Sequence, residues 1–96
     1  MTLDLTLLNI DVLSDQEVLA LNEGLPHAGI HTLDVLVKEH NLELFCEYNP
    51  GTKKWIGFVA EPGEYITIKE SAEGSGFKTA LGRALLKAYK RGIFKI

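Results

Sequence analysis

The side chains with the clearest capacity for chemistry in this sequence are cations. Arg83, Lys87, Lys90 and Arg91 recur at i, i+4, i+7 and i+8, which on a helix places four positive charges along one side. Such a stripe can contact phosphates or an acidic protein surface. It can equally be a solvated face whose cations sit well at the negative end of the helix dipole. The charge distribution adds a third use. Met1 to Thr52 holds nine acids and one base, Lys53 to Ile96 nine bases and four acids, and no acid follows Glu73. The net charge of −3 therefore hides an acidic half and a basic half, which can pair within one molecule or between two.

A second candidate is the turn Gly74-Ser75-Gly76-Phe77-Lys78. A glycine-rich turn opening a helix presents free amides and can hold an anion. It is not a nucleotide-hydrolysing loop, because that motif needs Lys directly after its last Gly and a further Gly five positions before that one. Phe77 intervenes here, and position 71 is Ser. Ser75 is expected to cap the helix.

Three aromatic residues, Phe45, Trp55 and Tyr65, fall on successive predicted strands and are expected side by side on one sheet face. Exposed, they form a surface for a partner, a second copy or stacked bases. The alternative is burial beneath the N-terminal elements.

Other constellations fail on spacing. His27 and His31 are four apart but Gly29 separates them, and neither His40 nor Cys46 supplies the paired spacing of a zinc site. Ser14, Ser71 and Ser75 suit caps and loops, and Glu43 and Glu47 follow ordinary strand alternation. No metal, cofactor or catalytic residue is expected.

Those side chains must be positioned by a small fold. Leu42–Tyr48, Lys54–Ala60 and Glu64–Glu70 are β-type runs separated by Asn49-Pro50-Gly51-Thr52 and Glu61-Pro62-Gly63, both turn sequences. Loops this short force antiparallel neighbours. A helix follows the glycine turn to about Lys90 and stops at Gly92, with Phe77, Leu81, Ala84, Leu85 and Ala88 as its inward stripe. Alternation puts Leu42, Leu44, Cys46, Ile56, Phe58, Ile66 and Ile68 on the sheet face beneath it. The opposite face mixes Phe45, Trp55, Val59 and Tyr65 with Glu43, Glu47 and Lys69.

Upstream, Ser14-Asp15-Gln16-Glu17 is a capping box opening a helix to about Asn22, which should bury Val18 and Leu19, with Gly24 as its stop. Thr32 can cap a second helix over 33–40, ended by Asn41, although 30–37 also suits a strand. Residues 2–13 alternate well enough for a strand with a bulge, although periodicity alone leaves a helix open there too. The expected fold is a single α+β domain over 1–96: a three-stranded antiparallel meander against a C-terminal helix, with one or two N-terminal helices and room for an N-terminal strand.

Ninety-six residues with 46% apolar content can build one core but no deep cavity. The N-terminus lacks the basic start of a secretory signal, and no run reaches the roughly 20 apolar residues of a membrane span. One cysteine fits a reducing compartment, so a cytoplasmic location without membrane contact is expected.

From Leu33 to Arg91 the order helix, three antiparallel strands, helix resembles that of double-stranded RNA-binding domains. Those carry a histidine in the first hairpin loop and a lysine-rich run opening the last helix. This chain has Asn49-Pro50-Gly51-Thr52 and the single base Lys78, so no contact residues carry over. Ala80-Leu81-Gly82-Arg83-Ala84-Leu85-Leu86-Lys87-Ala88-Tyr89 is also similar to the final helix of small phage-encoded ABA-sandwich proteins, a resemblance that implies an accessory protein. Residues and resemblance together lead to the expectation of a non-enzymatic interaction module, homodimeric and protein-binding. The alternatives are nucleic-acid binding through the basic helix and anion binding at the glycine turn.

Overall fold

A computed structural model describes residues 8–24 and 38–93, with the side chains of 22–24 left aside. Ile10–Val12 forms a 3-10 turn, followed by α1 (Asp15–Gly24), β1 (Glu43–Asn49), β2 (Lys54–Glu61), β3 (Thr67–Gly74) and α2 (Phe77–Lys90). The sheet order is β1-β2-β3, antiparallel throughout, and α2 packs across it. This is the expected α+β meander with a C-terminal helix.

Local signals account for most element ends. The capping box is formed: the Glu17 amide donates to Ser14 Oγ at 3.2 Å, and the Ser14 amide and hydroxyl both donate to Glu17 Oε1. α2 ends in a reciprocal pair of backbone bonds, Gly92 N–H to the Tyr89 carbonyl and Ile93 N–H to the Ala88 carbonyl. Gly92 has φ of +76°, the left-handed geometry that this ending requires. Asn41, at φ +53°, makes the predicted stop before β1. The predicted helix over 33–40 lies outside the described residues except for its last ones, where 38 and 39 are helical.

Several expectations are corrected. Residues 8–13 are not a strand. The apolar positions there converge on one buried side chain, Ile10, and the short turn around it lays this segment along α2. β3 begins and ends later than predicted, at Thr67–Gly74 rather than 64–70. Its second half, Ser71-Ala72-Glu73-Gly74, has weak strand propensity, but the small side chains at 72 and 74 leave room for the helix.

The sheet faces differ most. Tyr48, Trp55 and Gly74 form one cross-strand row; Cys46, Gly57 and Ala72 form the next; Leu44, Val59 and Glu70 the third. These rows lie beneath α2. A Cβ at Gly57 would stand 2.4 Å from the Ala80 carbonyl oxygen, and one at Gly74 would stand 2.6 Å from the Ala80 nitrogen. Ile56 and Phe58 therefore point away from the helix, the reverse of their assignment from hydrophobicity. Backbone contact selects the face with glycine, not the face with the larger side chains. On β3 a bulge opposite Val59/Ala60 turns Ile68 outward as well.

α2 is not a one-sided amphipathic helix. Thr79, Ala80, Gly82, Ala84, Leu85, Leu86 and Ala88 are all buried, and at about 100° per residue they span roughly 260° of its circumference, leaving the remaining sector to Arg83, Lys87 and Lys90. Phe77, expected inside, is 45% exposed. The sheet covers one side; α1 and the 3-10 turn cover another, through Val18, Ile10, Leu8, Leu13 and Leu21.

Candidate functional site

The basic stripe faces this N-terminal layer. Arg83 pairs with Asp15 at 3.1 Å and donates to the carbonyls of Glu73 and Leu13, so one guanidinium ties α1, the preceding loop and β3 together. Lys87 pairs with Asp11 at 3.1 Å, and Lys90 donates to the Leu8 carbonyl at 2.6 Å. Arg91 pairs with Glu70 at 2.9 Å on the sheet below. All four cations are thus satisfied inside the monomer, mostly by the acidic N-terminal segment. Arg83 Nε is buried without a partner, a cost that its terminal nitrogens offset.

Burial contributes more to holding this layer than its exposed ion pairs do. Each exposed ion pair contributes about 0.2–1 kcal/mol, whereas burying a side chain such as Ile10 or Val18, at 3% and 0% exposure, contributes about 1.5–3 kcal/mol. The polar contacts fix the position of a segment that apolar contacts retain.

The glycine turn is built differently from its sequence reading. Gly74 belongs to β3, opposite Trp55. Gly76, not Ser75, is the N-cap of α2, and no side chain caps it. Ser75 instead donates through its hydroxyl to Asp15, the carboxylate already paired with Arg83. An internal anion therefore occupies the neighbourhood where an external one was considered. Lys78 is exposed.

The three predicted aromatics are not brought together. Phe45 stacks on Phe58, centroids 4.9 Å apart, on the face away from α2. Trp55 lies on the helix side. Tyr65 precedes β3 and is 81% exposed. The second sheet face therefore carries Phe45, Ile56, Phe58 and Ile68 between Glu43, Glu47 and Glu73. Ile68 and the adjoining Ile66 are 47% and 57% exposed, while Ala60 on the same face is fully buried.

Trp55 has two partners that sequence reasoning passed over. Tyr48 meets it edge-on at 5.4 Å and Phe77 at 6.0 Å. Counting back from the hairpin loop pairs Tyr48 with Trp55 directly, so that contact was within reach; the Phe77 contact depends on where α2 crosses the sheet.

Two clefts lie where the N-terminal segment meets α2 and the sheet. One, of about 220 Å³, is lined by Asp11, Glu70, Lys87, Lys90 and Arg91 with the turn at Asn9 and Ile10. The other, of about 320 Å³, is lined by Asp11, Lys54, Ala72, Glu73, Arg83 and Lys87. Both mix charges of opposite sign that already neutralise one another. Among the described residues no three His, Cys, Asp or Glu side chains gather as metal ligands, and no helix is long and apolar enough to cross a membrane. Cys46 is an unpaired, half-buried thiol; His27 and His31 lie outside the described residues. Compared with models of known protein families, with curated proteins and with solved structures, the chain matches none.

Proposed function

We propose that this protein is a non-enzymatic, cytoplasmic interaction module that docks another protein chain on the second face of its sheet, with a second copy of itself as the first partner. The observation that supports this reading is the apolar surface formed by Ile68 and Ile66 with the half-buried Phe45–Phe58 stack. Large apolar side chains gathered on one face mark protein contact more often than chance scatter does. A chain of this size also leaves much of its surface unburied when alone. Commitment of Arg83, Lys87, Lys90 and Arg91 to internal partners weighs against a helix-centred nucleic-acid site.

Light scattering from 1 to 200 μM tests it. A dimer that Ile68→Lys converts to a monomer, with the circular dichroism of the fold unchanged, is the expected result. A strict monomer over the whole range removes self-association, and an unchanged dimer in Ile68→Lys removes this face.

A further inference from the structure

The end of the molecule where the β1–β2 hairpin meets the start of α2 carries a different kind of surface. Tyr48, Trp55 and Phe77 form a continuous row of rings, contributed by β1, β2 and α2. Both outer rings meet the central indole at nearly the same angle, 69° and 68°. Tyr48 and Phe77 are 48% and 45% exposed, and the half-buried indole supports both.

The two chain segments that carry the row, residues 48–55 and 74–79, contain Lys53, Lys54 and Lys78 and no acid, with Glu47 and Glu73 flanking them directly. Lys53 sits in the hairpin loop between Tyr48 and Trp55, and Lys78 follows Phe77. Both are exposed, and neither ammonium has a carboxylate partner among the described residues. That sets them apart from Lys69, Arg83, Lys87 and Arg91, each of which has one. Lys54 turns toward the cleft at Glu73. Asp15, which accepts from Ser75 at this end, is also paired with Arg83.

We infer that this row is a binding surface for single-stranded nucleic acid, two bases stacking on Tyr48 and Phe77 while Lys53 and Lys78 meet phosphates. Rings held half-exposed suit a flat, sequence-tolerant partner, and unpaired lysines on the same chain segments suit its backbone. An acidic peptide would satisfy the lysines but has nothing that must stack on the rings. The surface lies on the helix side of the sheet, apart from the protein-docking face proposed above, and does not depend on that proposal.

The salt dependence distinguishes this site from the basic stripe. Single strands lose affinity with a log–log slope of about −0.7 per neutralised phosphate. Two lysines give about −1.4, roughly a sevenfold weakening between 50 and 200 mM salt, whereas the four-cation stripe would give about −2.8, roughly fiftyfold.

Trp55 is the sole tryptophan and reports occupancy directly. In a titration with a ten-residue oligothymidylate at low salt, its emission should fall saturably with the shallower slope. Tyr48→Ala and Phe77→Ala should each weaken binding about tenfold. Lys53→Ala and Lys78→Ala, substitutions of exposed side chains that leave the fold intact, should each flatten the slope by about 0.7. No quenching at 20 mM salt overturns the inference. So does equal binding by a polyglutamate of matched charge, or a slope near −2.8 that Lys78→Ala leaves unchanged.

Discussion

Gly57 of β2 lies directly under Ala80 of α2, so close that a single added carbon at 57 would stand 2.4 Å from the Ala80 carbonyl oxygen. The obstacle is backbone rather than a side chain that could rotate away. Gly57→Ala should therefore lift the helix from the sheet and cost about 3 kcal/mol, the upper part of the range for overpacking a core. Urea unfolding measures it as a fall in midpoint. Gly76→Ala is the control: a Cβ there meets nothing within 4 Å, and a shift as large as that of Gly57→Ala would show that the close approach is not the cause.

Arg83 should prove irreplaceable by lysine. Its guanidinium reaches Asp15 and two carbonyls on different elements, a division that a single ammonium cannot reproduce. Arg83→Lys should cost about 2 kcal/mol from the lost charge-assisted bonds. A double-mutant cycle with Asp15→Asn should show coupling, since both substitutions break the same contact. Additive losses in chemical denaturation would mean that the pair is incidental.

The helix ends offer independent checks. Ser14→Ala removes the reciprocal bonds with Glu17 and should cost about 1 kcal/mol. Gly92→Ala forces an alanine to φ of +76° and should cost about 1–2 kcal/mol. Thermal melts of the two variants should both shift downward. Equal melting of wild type and Gly92→Ala would mean that the α2 ending relaxes without loss.

How much of this was legible in the sequence depends on whether the signal is local. The capping box at Ser14–Glu17, the stops at Asn41 and Gly92 and the order of the strands are written in adjacent residues, and they are observed as read. The sheet faces were misjudged because Ile56 and Phe58 outweigh Gly57 in hydrophobicity. The deciding contact is with Ala80, which is distant in sequence and detectable only once the helix is placed. The bulge at Ile68–Glu70 reverses a parity that alternation assumes constant. On β1 the faces are as read, with Leu44 and Cys46 beneath α2, and it is the reversal of β2 that puts Phe45 and Trp55 on opposite sides of the sheet. The partners of Arg83, Lys87 and Lys90, namely Asp15, Asp11 and the carbonyl of Leu8, come from a segment distant in sequence that packs along α2 through Ile10 and Val18.

That packing yields the last prediction. If apolar contact retains the N-terminal layer and ion pairs only align it, truncation and screening must act very differently. Val18→Ala removes buried carbons from a side chain with 0% exposure and should cost about 2 kcal/mol, the transfer loss plus a small cavity. Asp11→Asn breaks the pair with Lys87, in which the Asp11 side chain is 74% exposed, and should cost less than about 0.5 kcal/mol. Raising salt from 50 to 500 mM should likewise change the unfolding midpoint of the wild type only slightly, because screening touches just the exposed pairs. The reverse outcome, a salt-labile fold with a mild Val18→Ala, would make the charge pairing between the acidic segment and α2 the principal restraint. The segment would then be releasable, and the four cations of α2 would become available to an external partner.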